Sequence, residues 1–409
     1  MSLADAPRAK SPPSFNPLSP DFIRDPYPAY HQLRDYDPLW RSPFGYRIAS
    51  RYHDIAFILR DKRFGKDFAN RMKKRYGEKA MEEPVMRAMS LWMLSQDPPD
   101  HTRLRGLVVK AFTARRMEEM RPRIQAIVDA EIDRVKARGA MDVIDDFAFR
   151  LPVTVICEML GIPDADRDRF FEGARGGARL LDPVPLSRAE LDEANERNAA
   201  AQEYFRSLFA LRRAEPGDDL TSHLVHAEEH GQKLTEEELV SNIYLLFGAG
   251  HETTVNLIGN GLLALFRHPE QLKKLRHNPS LIPGAIEEFL RYDSSVQMTN
   301  RGTFEDVTIG GVEIKAGETV LCLLGAGNRD PEIFPEPDAL DISREKVNPL
   351  SFGGGIHHCL GAQLARLEGE VAIATLLRRL PGLTLDDPEH PEWRQSFALR
   401  GLQHLPAHW

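Results

Sequence analysis

The feature that most constrains this chain is a run of about 32 residues, Thr235 to Phe266, in which helical periodicity continues without a break. Thr235 is followed by Glu236 to Glu238, so a threonine N-cap and a glutamate three residues on supply both halves of a capping box, and Arg267-His268-Pro269 supplies the stop. At 1.5 Å per residue such a helix measures about 48 Å, enough to cross the whole molecule. Leu239, Ile243, Phe247, Gly250, Thr254, Leu257, Gly261 and Leu265 recur at spacings of three and four and mark the stripe that faces the interior. The centre of the run, Ala249-Gly250-His251-Glu252-Thr253-Thr254, is weak helix material, since each glycine costs about 1 kcal/mol relative to alanine. Close approach of something flat is predicted there.

Around this rod the chain reads as mainly α with small β-sheets. Strand signals are confined to Pro38–Ala49 and to Asp306–Leu324, where VTIGGVEIKAGETVLCLL reads as strand, Gly-Gly turn, strand, turn, strand. No repeat, low-complexity block or Gly/Ser linker divides the 409 residues. One domain is expected over residues 21–409, preceded by an extended arm over residues 1–20 that carries five prolines.

A net charge of −8 gives no chain-wide positive field, so neither nucleic acid nor an anionic membrane surface is an expected partner. No stretch approaches the roughly 20 apolar residues that span a bilayer. Three scattered cysteines, Cys157, Cys322 and Cys359, suit neither a disulfide framework nor a structural zinc site, and a reducing cytoplasm is expected. A monomer is expected.

Cys157 lies within LPVTVICEMLGI and Cys322 within a strand signal, and both read as buried structural thiols. Cys359 differs. It stands in Ser351-Phe352-Gly353-Gly354-Gly355-Ile356-His357-His358-Cys359-Leu360-Gly361, directly before the helical run AQLARLEGEVAIATLLRRL. Unpaired N–H groups at a helix start favour thiolate over thiol, which a soft metal ligand needs.

The run F-G-G-G-I-H-H-C-L-G resembles the cysteine-ligand loop of the cytochrome P-450 family, F-G-x-G-x-H/R-x-C-x-G, at every fixed position. Two further signatures of that family precede it in order: A-G-H-E-T-T at Ala249 to Thr254, and E-x-x-R at Glu288 to Arg291. His101 to Arg105, after Asp97-Pro98-Pro99, is similar to the family's H-x-x-x-R helix, and N-R-D-P at Asn328 to Pro331 is also family-like. The resemblance covers essentially the whole chain from about Asn16. It implies a helical prism enclosing one haem b, iron protoporphyrin IX, between the long helix and the cysteine loop.

The resemblance assigns roles residue by residue. Cys359 is the expected thiolate ligand of the iron, with Gly353 and its neighbours letting the backbone pass close beneath the macrocycle and Phe352 limiting water on that side. Two buried propionates need cationic or donor partners, and His101, Arg105, Arg301 and His357 are the expected set. Glu252 and Thr253 match the acid and hydroxyl that hand protons to bound oxygen, although the Thr253 hydroxyl could equally bond back to the Gly248 or Ala249 carbonyl. Glu288, Arg291 and Arg344 are assigned to an ion network that supports the haem loop. Substrate contacts are expected from Met89, Trp92, Met93, Leu246, Ala249, Val296, Met298 and Phe397.

The implied activity is a monooxygenase that places one atom of O2 in an apolar small molecule. With no flavin or nucleotide fingerprint and no iron-sulfur cysteine cluster in the chain, electrons are expected from a separate iron-sulfur ferredoxin and its reductase. Arg103, Lys110, Arg115 and Arg116 are candidate docking cations. A peroxide-driven haem-thiolate peroxygenase and a non-catalytic haem sensor are the rival readings. A cysteine hydrolase using His357 with Cys359 is disfavoured, because residues two apart on one loop do not form a base-nucleophile-orienter set.

Overall fold

The computed structural model describes residues 15–43, 45–110, 112–173, 177–227 and 234–409. The central helix runs Glu236–Arg267 with Thr235 as N-cap, within a residue of the sequence reading. The Thr235 hydroxyl accepts the Glu238 amide at 3.2 Å, and the Glu238 carboxylate accepts the Thr235 amide at 2.9 Å, closing the capping box. Helices Arg150–Met159, Arg188–Ala214, Ile282–Tyr292 and Ala362–Arg379 pack around it.

This packing assigns different surroundings to the glycines of the long helix. A Cβ at Gly250 would lie 3.2 Å from Ile156 Cδ1, and one at Gly261 would lie 2.8 Å from Phe289 Cδ2, so these glycines admit neighbouring helices. The open part of the helix lies at Gly248 and Ala249, where the predicted centre begins. Gly248 and Ala249 are exposed in a helix otherwise buried through its middle, and nothing lies within 4 Å of the position a Cβ would take on Gly248.

Among the described residues there are ten short strands: β1 (Leu39–Arg41), β2 (Arg47–Ala49), β3 (Phe64–Gly65), β4 (Ala140–Asp142), β5 (Met298–Thr303), β6 (Val307–Ile309), β7 (Val312–Ile314), β8 (Thr319–Leu323), β9 (Thr384–Leu385) and β10 (Pro406–His408). They form a five-stranded sheet in the order β1-β2-β8-β5-β3, a three-stranded sheet β4-β10-β9 and the hairpin β6-β7. The hairpin turns at Gly310-Gly311 as the sequence predicts. β8 does not continue it, but inserts between β2, to which it is parallel, and β5, to which it is antiparallel. β5 was not predicted: MTNRGT lacks the apolar alternation that marks a strand, and its register comes from β8.

The expected extended arm over residues 1–20 is also corrected at its end. A helix begins at Pro20 with Ser19 as N-cap, and Phe15 packs edge-on against Phe22, Trp40 and Phe397. The rest of the arm lies outside the described residues. No helix of the described residues is long and apolar enough to cross a membrane.

Candidate haem site

The site is best built outward from a buried ion pair. Glu288 and Arg291, one turn apart on Ile282–Tyr292, are both 0% exposed. The Arg291 guanidinium donates from Nε and Nη2 to the two Glu288 oxygens at 2.8 and 2.7 Å, and to the carbonyls of Asn328, Pro337 and Ala339 at 3.2, 2.7 and 3.0 Å. All five of its N–H groups are thereby used, which is the condition under which a buried ion pair is tolerated. Arg344 Nε lies 3.4 Å from Glu288, and the Asp341 amide donates to Glu288 at 3.0 Å. These contacts pin the irregular segment 328–344 to the helix.

From there the order passes to the cysteine loop. The Asn328 side chain accepts the Leu350 amide at 2.6 Å and donates to Ser351 Oγ at 2.8 Å, and Ser351 Oγ donates to the Leu290 carbonyl at 2.6 Å. The next carbonyl along, that of Phe352, accepts the Cys359 amide at 2.9 Å. The Arg366 guanidinium covers the Phe352 ring with 4.4 Å from carbon to centroid. Of the triglycine, Gly353 and Gly355 hold φ of +68° and +65°, and a Cβ on Gly355 would lie 2.2 Å from the Leu59 carbonyl oxygen. Positive φ demands glycine at both positions and the close approach to Leu59 demands it at Gly355 again, while Gly354 is extended.

Cys359 is exposed, unlike Cys157 and Cys322, whose thiols burial pushes up to about 12. The helix proper starts at Ala362, with the Gly361 amide donating toward the sulfur. That bond, Arg105 and Arg366 all draw the thiol downward, yet desolvation outweighs them and the net direction is upward. The helix start alone does not make a thiolate here. A metal ion bound at this sulfur would displace the proton outright.

Beside the loop, imidazole and cationic groups converge. The rings of His101 and His357 lie 4.4 Å apart, and His101 Nδ1, His101 Nε2 and His357 Nε2 are buried with no hydrogen-bond partner. Burial and the neighbouring cations lower His101 to about 4 and His357 further, so both are neutral at pH 7. Arg105 donates to the His358 carbonyl at 2.7 Å. Arg301, 3% exposed, donates to its neighbour's carbonyl, that of Asn300, at 2.8 Å and among the described residues has no ion pair within 4 Å.

Sequence reasoning missed Lys66. The β3-β5 register pairs Gly65 with Gly302, which sets Lys66 across from Arg301, and Lys66 is 5% exposed. Like charges directly opposed are destabilising, and burial together with Arg301 and Arg71 drives the Lys66 ammonium well below its ordinary value. Asp97, the acid between them, already accepts the amides of Lys66 and Asp67. Unmet imidazole donors beside two buried cations that share one acid suit a flat group carrying two carboxylates, so these residues fit a haem.

On the long helix Glu252 is 7% exposed, and burial raises its pKa against the opposing pull of His251 and Arg394. Arg394 Nη1, from the C-terminal segment, approaches Glu252 Oε1 at 3.4 Å. The Thr253 hydroxyl donates back to the Ala249 carbonyl at 3.1 Å.

The structure divides the expected substrate contacts. Ala249 is exposed, while Leu246, Met89, Trp92 and Met93 sit in the main core. Asn242 ties that segment to the long helix by accepting the Met93 amide at 2.8 Å. Val296 forms a bridge with Leu399. Phe397 is a correction: at 1% exposure, in edge contact with Phe15 and Phe22, it is a core residue of the cluster that also holds Met298. Among the docking candidates Arg103 is also corrected, since both its terminal nitrogens engage Glu238. Arg115 and Arg116 are exposed, the former paired with Glu119 at 2.9 Å, and Lys110 is exposed.

Comparison with known proteins agrees with this geometry. The family model for Cytochrome P450 matches residues 179–400. The chain is 42% identical over 389 residues to the putative cytochrome P450 133B2 of Xylella fastidiosa, covering 95% of this chain and 97% of that protein. It is 45% identical over 398 residues to a vitamin D(3) 25-hydroxylase of Pseudonocardia autotrophica, covering 95% of each. Among solved structures, P450BioI in complex with hexadec-9Z-enoic acid ligated acyl carrier protein matches with a TM-score of 0.87 at 41% identity, covering 96% of this chain and 100% of that one. With a cysteine loop braced by a buried ion network and relatives of this identity along its whole length, the chain belongs to the cytochrome P450 family, whose named members are monooxygenases and hydroxylases.

Proposed function

We propose that the protein is a haem-thiolate monooxygenase that inserts one oxygen atom of O2 into an apolar small organic molecule, with electrons supplied by a separate iron-sulfur ferredoxin and its reductase. The observation that carries this reading is the meeting of an exposed thiol, Cys359, with imidazole nitrogens that have no hydrogen-bond partner among the described residues and with the buried cations Lys66 and Arg301, which share the single acid Asp97. When bound, a haem of the b type supplies oxygen binding and a thiolate push that favours O–O cleavage. Cys359 would be its axial ligand, and His101, Arg105, Arg301, His357 and Lys66 would hold its carboxylates.

The remaining roles belong to side chains of this chain. Burial raises the Glu252 pKa, which suits its carboxyl to hold and give up a proton beside the iron site. Arg394, at 3.4 Å and partly exposed, is the contact through which Glu252 meets solvent. Thr253 can release the Ala249 carbonyl, since the bond it breaks lies within its own helix. The apolar neighbours Leu246 and Phe247 keep other water away. Relatives named for vitamin D(3) 25-hydroxylation and for biotin biosynthesis show that kinship does not select a substrate.

Reduced protein under carbon monoxide should show the red-shifted Soret band of a thiolate complex, and Cys359→Ser should abolish it. Retention of the band in Cys359→Ser, with loss in Cys157→Ser or Cys322→Ser, would overturn the ligand assignment. NADH-driven turnover with a surrogate ferredoxin and reductase, against turnover with hydrogen peroxide alone, separates the monooxygenase from the peroxygenase and the sensor.

A further inference from the structure

Asp182 is a loop carboxylate with no part in the chemistry described above, yet it is 0% exposed. Burying a carboxylate is tolerated only where it is paired and hydrogen-bonded, and this one is both. Its Oδ1 accepts Ser396 Oγ and the Phe397 and Ala398 amides at 3.0, 3.0 and 2.7 Å, and its Oδ2 accepts Arg179 Nη1 at 3.0 Å. One oxygen thus gathers three donors from residues 214 to 216 positions further along the chain.

Residues 396–398 are the tip of a hairpin that leads to the long helix. Trp393 bridges Leu402, the Arg394 amide donates to the Gly401 carbonyl at 2.9 Å, and the Ser396 amide donates to the Arg394 carbonyl at 3.0 Å. The limb after the tip is backed by other elements. The Gln297 amide donates to the Ala398 carbonyl and the Arg400 amide to the Ser295 carbonyl, both at 2.9 Å. Asn260 of the long helix donates to the Arg400 carbonyl at 3.1 Å, and Gly401 packs against Asn256 so closely that a side chain there would strike it. The limb before the tip has no such backing. Among the described residues, 393–396 hydrogen-bond outside the hairpin only to Asp182, through Ser396, and to Glu252, through Arg394. The second of these links has little slack: Arg394 Nη1 stands 3.4 Å from Glu252 Oε1, and beyond about 3.5 Å such a contact is no longer a hydrogen bond. The charged and titratable groups that act on Glu252 are His251 and Arg394, which favour its charged form, and Asp182, which opposes it, with Arg394 acting more strongly than Asp182.

We infer that Asp182 is a positioning residue for proton supply: its buried carboxylate folds the 396–398 tip so that Arg394 reaches Glu252, and through that arginine it sets how readily Glu252 gives up its proton. The inference rests on the monooxygenase reading, in which Glu252 is the acid.

The test uses haem-loaded protein whose carbon monoxide band has first been recorded, so that a failure of the haem-thiolate reading is seen separately. The infrared carboxyl band of protonated Glu252, identified by its loss in Glu252→Gln, is followed as pH is raised. Arg394→Gln should move the midpoint of its disappearance up by about one pH unit, a tenfold tighter hold on the proton. Asp182→Ala should move it in the same direction by a comparable amount, and the double variant Asp182→Ala/Arg394→Gln should sit where Arg394→Gln sits. Asp182→Asn, which keeps an oxygen for the three donors and removes the charge, should stay at the wild-type midpoint or below it. A midpoint at or below that of the wild type in Asp182→Ala would overturn the inference, as would a shift that adds to that of Arg394→Gln or one that Asp182→Asn reproduces in full. If Asp182→Ala fails to load haem, Ser396→Ala, which removes one of the three donors, should show a smaller rise, and no rise would overturn the inference. Absence of any Glu252 band from the wild type would overturn it together with the role of Glu252, while the carbon monoxide band would still stand for the haem.

Discussion

On the cysteine-loop side every donor of Arg291 has a partner, and the chain of contacts from Glu288 through Asn328 and Ser351 to the Phe352 carbonyl has no gap longer than 3.2 Å. On the long-helix side Glu252 has a contact of 3.4 Å to a partly exposed arginine, and Thr253 bonds back to its own helix. The difference follows from the work each side does. A ligand loop must hold one geometry and is fixed by redundant bonds, whereas groups that hand on protons must exchange partners and are held by few.

The largest test of that contrast is Arg291→Ala. It leaves Glu288 buried with only Arg344 and the Asp341 amide and frees three carbonyls, at a cost of roughly 3 to 5 kcal/mol. Little soluble, haem-loaded protein should be recovered, as read by yield and by the ratio of haem to protein absorbance. Arg344→Ala should cost less, because Arg344 meets Glu288 only at 3.4 Å and reaches solvent. Normal recovery of Arg291→Ala would mean the braced side is not braced by this pair.

Thr253→Ala tests the loosely held side. The hydroxyl has no part in packing, so folding and substrate binding should be unchanged. Product formed per NADH should fall, with hydrogen peroxide making up the difference, and the product-forming rate should drop on the order of 10²-fold. Thr253→Ser should recover most of it. Unchanged coupling in Thr253→Ala would assign the proton handling to Glu252 and ordered water.

How much of this was legible in the sequence follows the same division. The long helix, its capping box, the cysteine loop and the Glu288–Arg291 pair are local patterns, visible because their residues lie within one or two turns of one another. Lys66 and Arg394 were not, since Lys66 meets Arg301 only through the β3-β5 register and Arg394 meets Glu252 from 142 residues away. β5 escaped for the same reason: its strand character comes from β8. Phe397 was misread because an aromatic residue near the C-terminus looks alike in a pocket wall and in the core against Phe15 and Phe22, and Arg103 because its partner Glu238 stands at the start of a different helix.

The smallest expected effect lies where the two sides meet. Glu368, on the helix that follows Cys359, is 1% exposed, and among the described residues its carboxylate makes no well-formed hydrogen bond, the Thr254 hydroxyl being the one donor near enough to favour its charged form. Burial raises it to about 8, with only the Thr254 hydroxyl of the long helix working against the shift. The folded protein thus holds this proton more tightly than the unfolded chain does. Its contribution to stability is complete below the ordinary carboxylate range and is lost as pH rises through about 8. At about 1.4 kcal/mol per unit the swing is at most a few kcal/mol. Glu368→Gln cannot titrate, so its melting temperature should fall less between pH 5 and pH 8 than that of the wild type, by a few degrees on the scale of about 2 °C per kcal/mol. The cost of burying an amide lowers the variant's curve at every pH and leaves this slope untouched. Parallel melting curves would place the Glu368 proton in ordinary exchange with water and make the boundary between the two sides wetter than its burial implies.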